Sequence, residues 1–456
     1  MTTPAERVLS TLNLDGTRNV IHPRLSRGRF LRWRRIAGFA LIALFVLLPR
    51  ARIGGRPAFL IDLISREIDV LGARFRPSDG LVLMLLGIAI VLAVFLVTAM
   101  VGRVWCGWGC PQTVYLEHVF RPIERWIEGS PGQQRKLDAR PGIAPRRMLK
   151  WLVFAAVSFA VANVFLAYFV GTDRLSTWVF ESPGDHAGGF LTVCGVAALV
   201  LFDFGYFREQ MCIVACPYGR LQSVLLDRQS LIVGYDAKRG EPRSHLKVIG
   251  EAGACIDCSA CVNTCPTGID IRKGLQMECI GCAQCIDACD DVMDKVKRPR
   301  GLIRYTSQDE LAGIGKHLLR ARTIAYPVLM ALAGALLVWS IARRTSTEVW
   351  IERISGPSFV ELPDGGVSSQ ARIKIENDAD EARTFTLTLT DTDVAMRSSA
   401  TWQIAAHESM EIPVFVDLAR SQLVHGERRV HVRIDDSAGF QRIVEVNLLG
   451  PDGGAR

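Results

Sequence analysis

No G-x-G-x-x-G run follows a strand-like segment anywhere in the 456 residues, and no C-x-x-C-H occurs. The first absence excludes a Rossmann-type nicotinamide or flavin site, and the second a c-type haem. Hydride chemistry is therefore not expected of this chain. No small-residue cleavage site follows the first apolar run, Ile36–Leu48, so that run is expected to remain as an uncleaved anchor. Charge is missing altogether from Leu81–Gly102, Trp151–Gly171 and Thr323–Ala342. Each of these is long enough to cross roughly 30 Å of hydrocarbon. The tail, 345–456, has no cysteine, no histidine cluster and no paired-acid signature, so no chemistry is expected there.

Hydrophobic residues make up 49% of the chain, and Lys and Arg outnumber Asp and Glu by 54 to 46. A basic balance can signal nucleic acid, but here the arginines flank apolar runs. Membrane topology accounts for it, and no nucleic-acid partner is expected. Two more segments complete about five spans. Ile36–Leu48 is short, with Arg35 and Arg50 at its ends, and Ala187–Phe207 carries Asp203 near its end. The loop 103–150 is rich in Arg and Lys, whereas 172–186 holds only Arg174. The positive-inside rule then places the N-terminus, 103–150 and 208–322 in the cytoplasm, and the C-terminus outside. The loop 50–80 disagrees, since it should be outside yet carries six arginines, partly offset by Asp62, Glu67, Asp69 and Asp79. Within it, 59–75 reads as an amphipathic stretch suited to the membrane surface.

The predicted organisation is a basic segment at 1–35, four spans within 36–207, a region at 208–322, a fifth span at 323–342 and a β-rich module at 345–456. In that module, ARIKI (371–375), TFTLTLT (384–390), EIPVFV (411–416), RVHVRI (429–434) and IVEVNL (443–448) alternate in polarity. Short strands at this spacing predict an immunoglobulin-like antiparallel sandwich.

The chemistry lies in the cysteines. Residues 255–289 contain C-x2-C-x2-C-x3-C twice. A [4Fe–4S] core needs four soft thiolates, and three closely spaced cysteines on a loop supply three of them. The fourth lies a helical turn further on and serves the other cluster. Cluster one should therefore take Cys255, Cys258, Cys261 and Cys289. Cluster two should take Cys279, Cys282, Cys285 and Cys265. Pro266 follows the first run, whereas Asp290 stands in that place after the second. The predicted domain, about 250–300, is a bacterial-type 2[4Fe–4S] ferredoxin inserted between spans, passing electrons one at a time.

Two further pairs, Cys106/Cys110 and Cys212/Cys216, read C-x3-C-P just after the second and fourth spans. Their repetition suggests an internal repeat that brings them together. On a helix, i and i+4 share a face, so each pair could clasp a metal. A dithiol couple is the rival, and nearby Arg103, Arg208 and Arg220 would favour thiolates. Glu117 and His118 follow the first pair and are candidate ligands, Asp203 is either a solvated end of its span or a proton or metal group, and mid-span Cys194 reads as an inert buried thiol.

The words GRVWCGWGCPQTV (102–114), REQMCIVACPYGRLQSVLLD (208–227), CIGCAQCIDACDDVM (279–293), IHPR (21–24) and GLIRY (301–305) resemble the accessory proteins of bacterial cbb3-type cytochrome c oxidase, the FixG or CcoG family. The resemblance implies a multi-pass inner-membrane protein with a cytoplasmic ferredoxin domain and a periplasmic sandwich. It implies one-electron reduction of Cu(II) to Cu(I), with oxidase-assembly or copper-handling proteins as partners. Cys106, Cys110, Cys212 and Cys216 would be the copper-contact or relay thiols. The sequence holds no Met- or His-rich copper tract, so copper rests on the resemblance alone. The alternatives are a quinol-linked electron-transfer subunit and a structural assembly factor whose clusters sense redox state. The electron donor is not visible in the sequence.

Overall fold

The computed structural model describes residues 11, 19–63, 65–76, 79–140, 142, 144–243, 253–315, 321–343, 347–352, 359–363, 365–377, 379, 381–406 and 408–451. The chain divides into two compact units, Met1–Val338 and Trp339–Arg456.

The long helices are α1 (Arg29–Leu47), α2 (Gly80–Val101), α3 (Pro145–Val170), α4 (Ala187–Phe202) and α5 (Gln284–Lys295) in the first unit, and α6 (Ala321–Ala342), which runs from the first unit into the start of the second. Among the described residues, four stretches are long and apolar enough to cross a membrane: α2, α3, Ala187–Phe207 and Thr323–Ala342. The fifth expected segment is helical as part of α1. That helix includes Arg32, Arg34 and Arg35, and falls outside the four. Large apolar side chains such as Ile90, Leu152, Leu191 and Val338 point outward from these helices, as lipid contact requires. Cys194 also lies on the exposed side of α4, which corrects the expectation of a buried thiol.

The stretch 59–75 is a small antiparallel sheet, β1 (Phe59–Asp62), β2 (Glu67–Val70) and β3 (Ala73–Phe75), in which Ile61 pairs with Ile68 and Ile68 with Phe75. Its charges pair internally. Arg74 reaches Asp69 at 3.0 Å, Arg76 reaches Glu67 at 3.1 Å, and Arg174 reaches Asp62 at 3.1 Å. Of the six arginines that disagreed with the topology rule, Arg74 and Arg76 are thus neutralised by partners five to nine residues away, and Arg52 by Asp173 on the next loop.

The ferredoxin region is larger than 250–300. Strands β4 (Ile232–Tyr235) and β5 (Ile303–Thr306) pair antiparallel outside it, and Val233, Tyr235, Leu302 and Ile303 share a core with Ile286 and Met293 of α5. The sequence signal stops at the last cysteine because these strands are too short to announce themselves. The N-terminal segment docks here too: the Arg24 N–H donates to Asn263 O at 2.8 Å, and Thr264 donates back to Arg24 O at 2.6 Å.

The second unit is an all-β sandwich. Its strands are β6 (Thr347–Glu352), β7 (Phe359–Glu361), β8 (Val367–Asn377), β9 (Arg383–Leu389), β10 (Ala395–Met396), β11 (Thr401–Ile404), β12 (Ser409–Leu418), β13 (Glu427–Asp436) and β14 (Gln441–Leu449). One sheet has the order β10-β12-β8-β6, with β7 also on β8, and the other β11-β9-β13-β14. Register places Ile373 opposite Ile412 and Val432 opposite Val444. Burial alternates strictly along β8, so Ile373 and Ile375 enter a core with Val414, Val416, Val430 and Ile434. Period-two polarity with one wet face gives this arrangement.

Candidate redox site

The two C-x2-C-x2-C loops fold alike. Asp257 and Gly281 have positive φ, as do Ser259 and Ala283 two residues later. Each loop then enters a helix, Ala260–Asn263 or α5. Left-handed backbone at ordinary residues is costly and is kept only where the surroundings impose it. Here it turns three thiols toward one centre.

The thiols expected at cluster one, Cys255, Cys258, Cys261 and Cys289, line one cavity with Tyr235, Ile256, Met293, Leu302 and Ile303. Those expected at cluster two, Cys265, Cys279, Cys282 and Cys285, line another with Val233, Ile269, Ile271 and Ile280. Cys261 borders both. Arg272 and Ser259 also line the first cavity and Thr267 the second, and soft thiols in such a largely apolar cradle are the donor set an iron–sulfur cluster takes. Asp290 replaces the second proline without disrupting the loop, because its carboxylate accepts the Gly301 N–H at 3.0 Å.

A second observation fits a buried anionic group beside Cys282. Arg34 of α1 is fully buried; its Nε donates to Gly107 O at 2.9 Å, while neither Nη has a hydrogen-bond partner among the described residues. Its charge acts on Cys282. A buried guanidinium is costly unless negative groups offset it, and the buried Glu117 nearby, itself bonded to Arg121, supplies part of that balance.

The C-x3-C-P pairs are not on continuous helices, which corrects the i, i+4 expectation. Cys106 lies in the short helix Val104–Trp108, and Cys110 is extended at the N-cap of Pro111–Tyr115. Cys212 lies in a π turn, Met211–Ala215, and Cys216 is extended at the N-cap of Pro217–Leu225. The cause is the proline. It disfavours helical backbone at the residue before it, while its own φ suits the first position of the next helix. The second cysteine of each pair therefore faces the free N–H groups of the helix it caps. Gly219 N–H donates to Cys216 Sγ at 3.4 Å, and the Gln112 and Thr113 N–H groups bond the Cys110 sulfur.

The two pairs do come together. All six pairings among Cys106, Cys110, Cys212 and Cys216 lie within electrostatic reach. Cys106 Sγ also meets Gln222 Oε1 at 3.0 Å, and Gln112 donates to Asp203 at 3.0 Å beside Cys110 and Cys212. Burial pushes the Cys106 thiol up to about 11, with Arg103 only partly offsetting it, and Cys212 up to about 12. This reverses the expected thiolate activation, because desolvation outweighs the nearby cations. Arg208 is occupied elsewhere, and the Arg220 side chain lies outside the described residues.

The quartet abuts cluster two's loop. A Cβ on Gly107 would stand 2.7 Å from the Cys282 Cα and N, so only glycine permits this approach. Arg103 donates to Met277 O and, at 2.7 Å, to Gly219 O, joining that loop to the Cys216 segment. Trp108 donates to Tyr305 Oη at 3.0 Å, and Tyr305 to Gly281 O at 2.6 Å. Asp287 accepts the Leu31 N–H at 2.8 Å and so fixes α1 to α5. Sequence reading gave no role to Arg34, Trp108, Gln222, Asp287 or Tyr305; all but Arg34 lie within the words that carry the family resemblance, which was their only signal.

Glu117 and His118 are not among the quartet's neighbours, although Glu117 lies within electrostatic reach of Cys282 and of Arg34. Glu117 pairs with Arg121, and His118 packs on Gly38 and Phe39, where burial pushes its imidazole down to about 4. They belong to a buried ion network. In it, Arg121 also meets Glu209 at 3.3 Å, and Arg208 grips Glu124 through two bonds of 3.0 and 2.9 Å.

Residues 207–308 match the family model of a 4Fe-4S dicluster domain, 83–130 that of a 4Fe-4S binding domain, and 337–451 that of the IG-like fold at the C-terminus of FixG. Protein RdxA of Cereibacter sphaeroides is 36% identical over 88% of this chain and 87% of its own length. Protein RdxB of the same organism is 33% identical over 95% and 96%. Nitrogen fixation protein FixG of Rhizobium meliloti is 32% identical over 96% and 94%.

Proposed function

Since this chain belongs to the FixG-like family of membrane polyferredoxins, we propose that it passes single electrons from its ferredoxin cavities to the thiol quartet, where Cu(II) is reduced to Cu(I) for assembly of a cbb3-type oxidase. Bound [4Fe–4S] clusters supply one-electron steps. The eight ferredoxin cysteines hold them, in the two sets that line the two cavities. The observation that carries the route is Gly107, which sits inside the first C-x3-C-P and packs on the backbone of Cys282. Arg34 and Arg103 hold that junction together and place positive charge beside it. Each Cu(II) takes one electron and no proton, so a one-electron carrier suffices. Soft sulfur near the exit favours Cu(I) over Cu(II). By the positive-inside argument the quartet and ferredoxin face the cytoplasm and the sandwich the periplasm.

The test uses anaerobically purified, dithionite-reduced protein in detergent, mixed with Cu(II) and a Cu(I)-specific chelator. It is run beside a variant with Cys106, Cys110, Cys212 and Cys216 changed to Ala. The reading expects chelated Cu(I) in step with cluster oxidation, slowed in the variant. Equal rates from both would make the reduction nonspecific, and no Cu(I) from intact clusters would refute it.

One observation favours a second reading, quinol-linked electron transfer. A largely apolar cavity of ≈ 670 Å³ lies at the other end of α3 and α4, lined by Phe159, Asn163, Trp178, Glu181, His186 and Phe190. His186 stacks on Trp178 and meets Glu181 at 2.5 Å, a polar handle in an apolar site. That reading expects quinol-dependent cluster reduction.

A further inference from the structure

We propose that Cys106, Cys110, Cys212 and Cys216 together hold a third iron–sulfur cluster, of the [4Fe–4S] type. The inference deepens the electron route above and rests on the quartet being its exit.

Four thiols from two distant segments converge, with every pair within electrostatic reach. Yet among the described residues no three His, Cys, Asp or Glu side chains converge closely enough for a single metal ion. A tetrahedral ion with sulfur bonds of about 2.3 Å needs sulfurs roughly 3.8 Å apart. The quartet does not meet that spacing, and neither do the eight ferredoxin cysteines, whose loops are shaped for clusters. A four-iron core holds its thiolates farther apart than one ion does, so the lack of a single-ion site does not weigh against a cluster.

The surroundings suit an anionic sulfur-rich core. Cys110 and Cys216, each before a proline, receive backbone N–H groups on sulfur. Such N–H···S bonds are one of the means by which a protein holds a cluster and sets its potential. Arg103 places its guanidinium against Cys106 while anchored to Gly219 O. Gln222 closes the Cys106 side: its Oε1 accepts the Cys106 S–H at 3.0 Å, a bond that a cluster-bound thiolate gives up, and its Nε2 donates to Tyr218 at 2.9 Å.

The family match at 83–130 adds an independent argument. It describes 4Fe-4S binding, but that stretch contains only Cys106 and Cys110. Two thiols cannot complete a four-thiolate site, and Cys212 and Cys216 are the pair the fold brings to them. In this arrangement Cu(II) receives its electron at the quartet without displacing a thiol.

The experiment measures iron and acid-labile sulfide per chain in anaerobically purified full-length protein, with EPR spin counting after dithionite. About twelve irons are expected in the wild type and about eight in the variant with all four cysteines changed to Ser. One spin system should be lost in that variant while the ferredoxin signals persist. About eight irons in the wild type, with full ferredoxin signals, would overturn the proposal whether or not the variant folds. So would about ten, which would indicate a two-iron centre. The copper assay separates this from the broader reading. Eight irons with Cu(I) formation refutes the third cluster alone, whereas twelve irons without Cu(I) refutes the copper role alone.

Discussion

Glu124 should be among the most sensitive positions in the first unit. Its carboxylate, 3% exposed, accepts both Nη groups of Arg208, which is 5% exposed, and lies 3.5 Å from Lys150. The pair joins the helix Arg121–Glu128, downstream of Cys110, to the turn that leads into Cys212, and so clamps the two halves of the quartet. Burial alone would raise the Glu124 carboxyl, but Arg208 outweighs it and holds the group at about 2, against an ordinary 4.5. That difference corresponds to about 3 kcal/mol. Removing one partner of a buried pair costs about 3–5 kcal/mol. Glu124→Gln is therefore expected to destabilise by about 3–4 kcal/mol, read as urea-induced loss of cluster absorbance in detergent. The double variant Glu124→Gln/Arg208→Gln should lose less than the sum of the singles, by about 2 kcal/mol. Because the folded carboxyl is depressed, its stabilisation is present above pH 4.5 and is lost as pH falls from there toward about 2. A Glu124→Gln cost within about 1 kcal/mol of zero, or strict additivity, would refute the clamp.

Arg34→Met removes a positive charge near Cys282 and should lower one cluster's midpoint potential. At a separation of roughly 8 Å and an effective dielectric of about 20 the shift is on the order of 50–100 mV, with Arg34→Lys milder; redox-poised EPR reads it, and an unchanged potential would disprove it. Gly107→Ala puts a Cβ 2.7 Å from the Cys282 backbone and the Ile280 carbonyl, so the two loops must separate. Copper reduction should slow at least several-fold with ferredoxin iron content unchanged; an unaltered rate would place the electron exit elsewhere. In the sandwich, Ile373→Ala empties a fully buried position in β8 and should cost about 2–5 kcal/mol in chemical denaturation. The cluster absorbance should be untouched by that change.

The sequence by itself determined the elements whose physics is local. Uncharged runs set α2, α3 and α6, because a hydrocarbon span needs only length and apolarity. Period-two alternation set the sandwich strands, and Ile373 and Ile375 fall on the buried face that pattern assigns. Cysteine spacing set two groups of four thiols, since a loop wraps three ligands over so few residues. Tertiary structure decided what depends on distant segments. Prolines 111 and 217 end the helical turn at each second cysteine, which the i, i+4 expectation overlooked, and only the fold brought the two halves together, over a gap of about a hundred residues in sequence. The matched C-x3-C-P words hinted at that meeting without giving the network of Glu124, Arg208 and Arg121 that enforces it. Arg34 looked like one more topology arginine. Its role appears only when α1, anchored by Asp287, delivers it to the space between Gly107 and Cys282. The thiol acidities likewise reversed, because burial is a property of the packed protein and outweighs charges that the sequence merely places nearby.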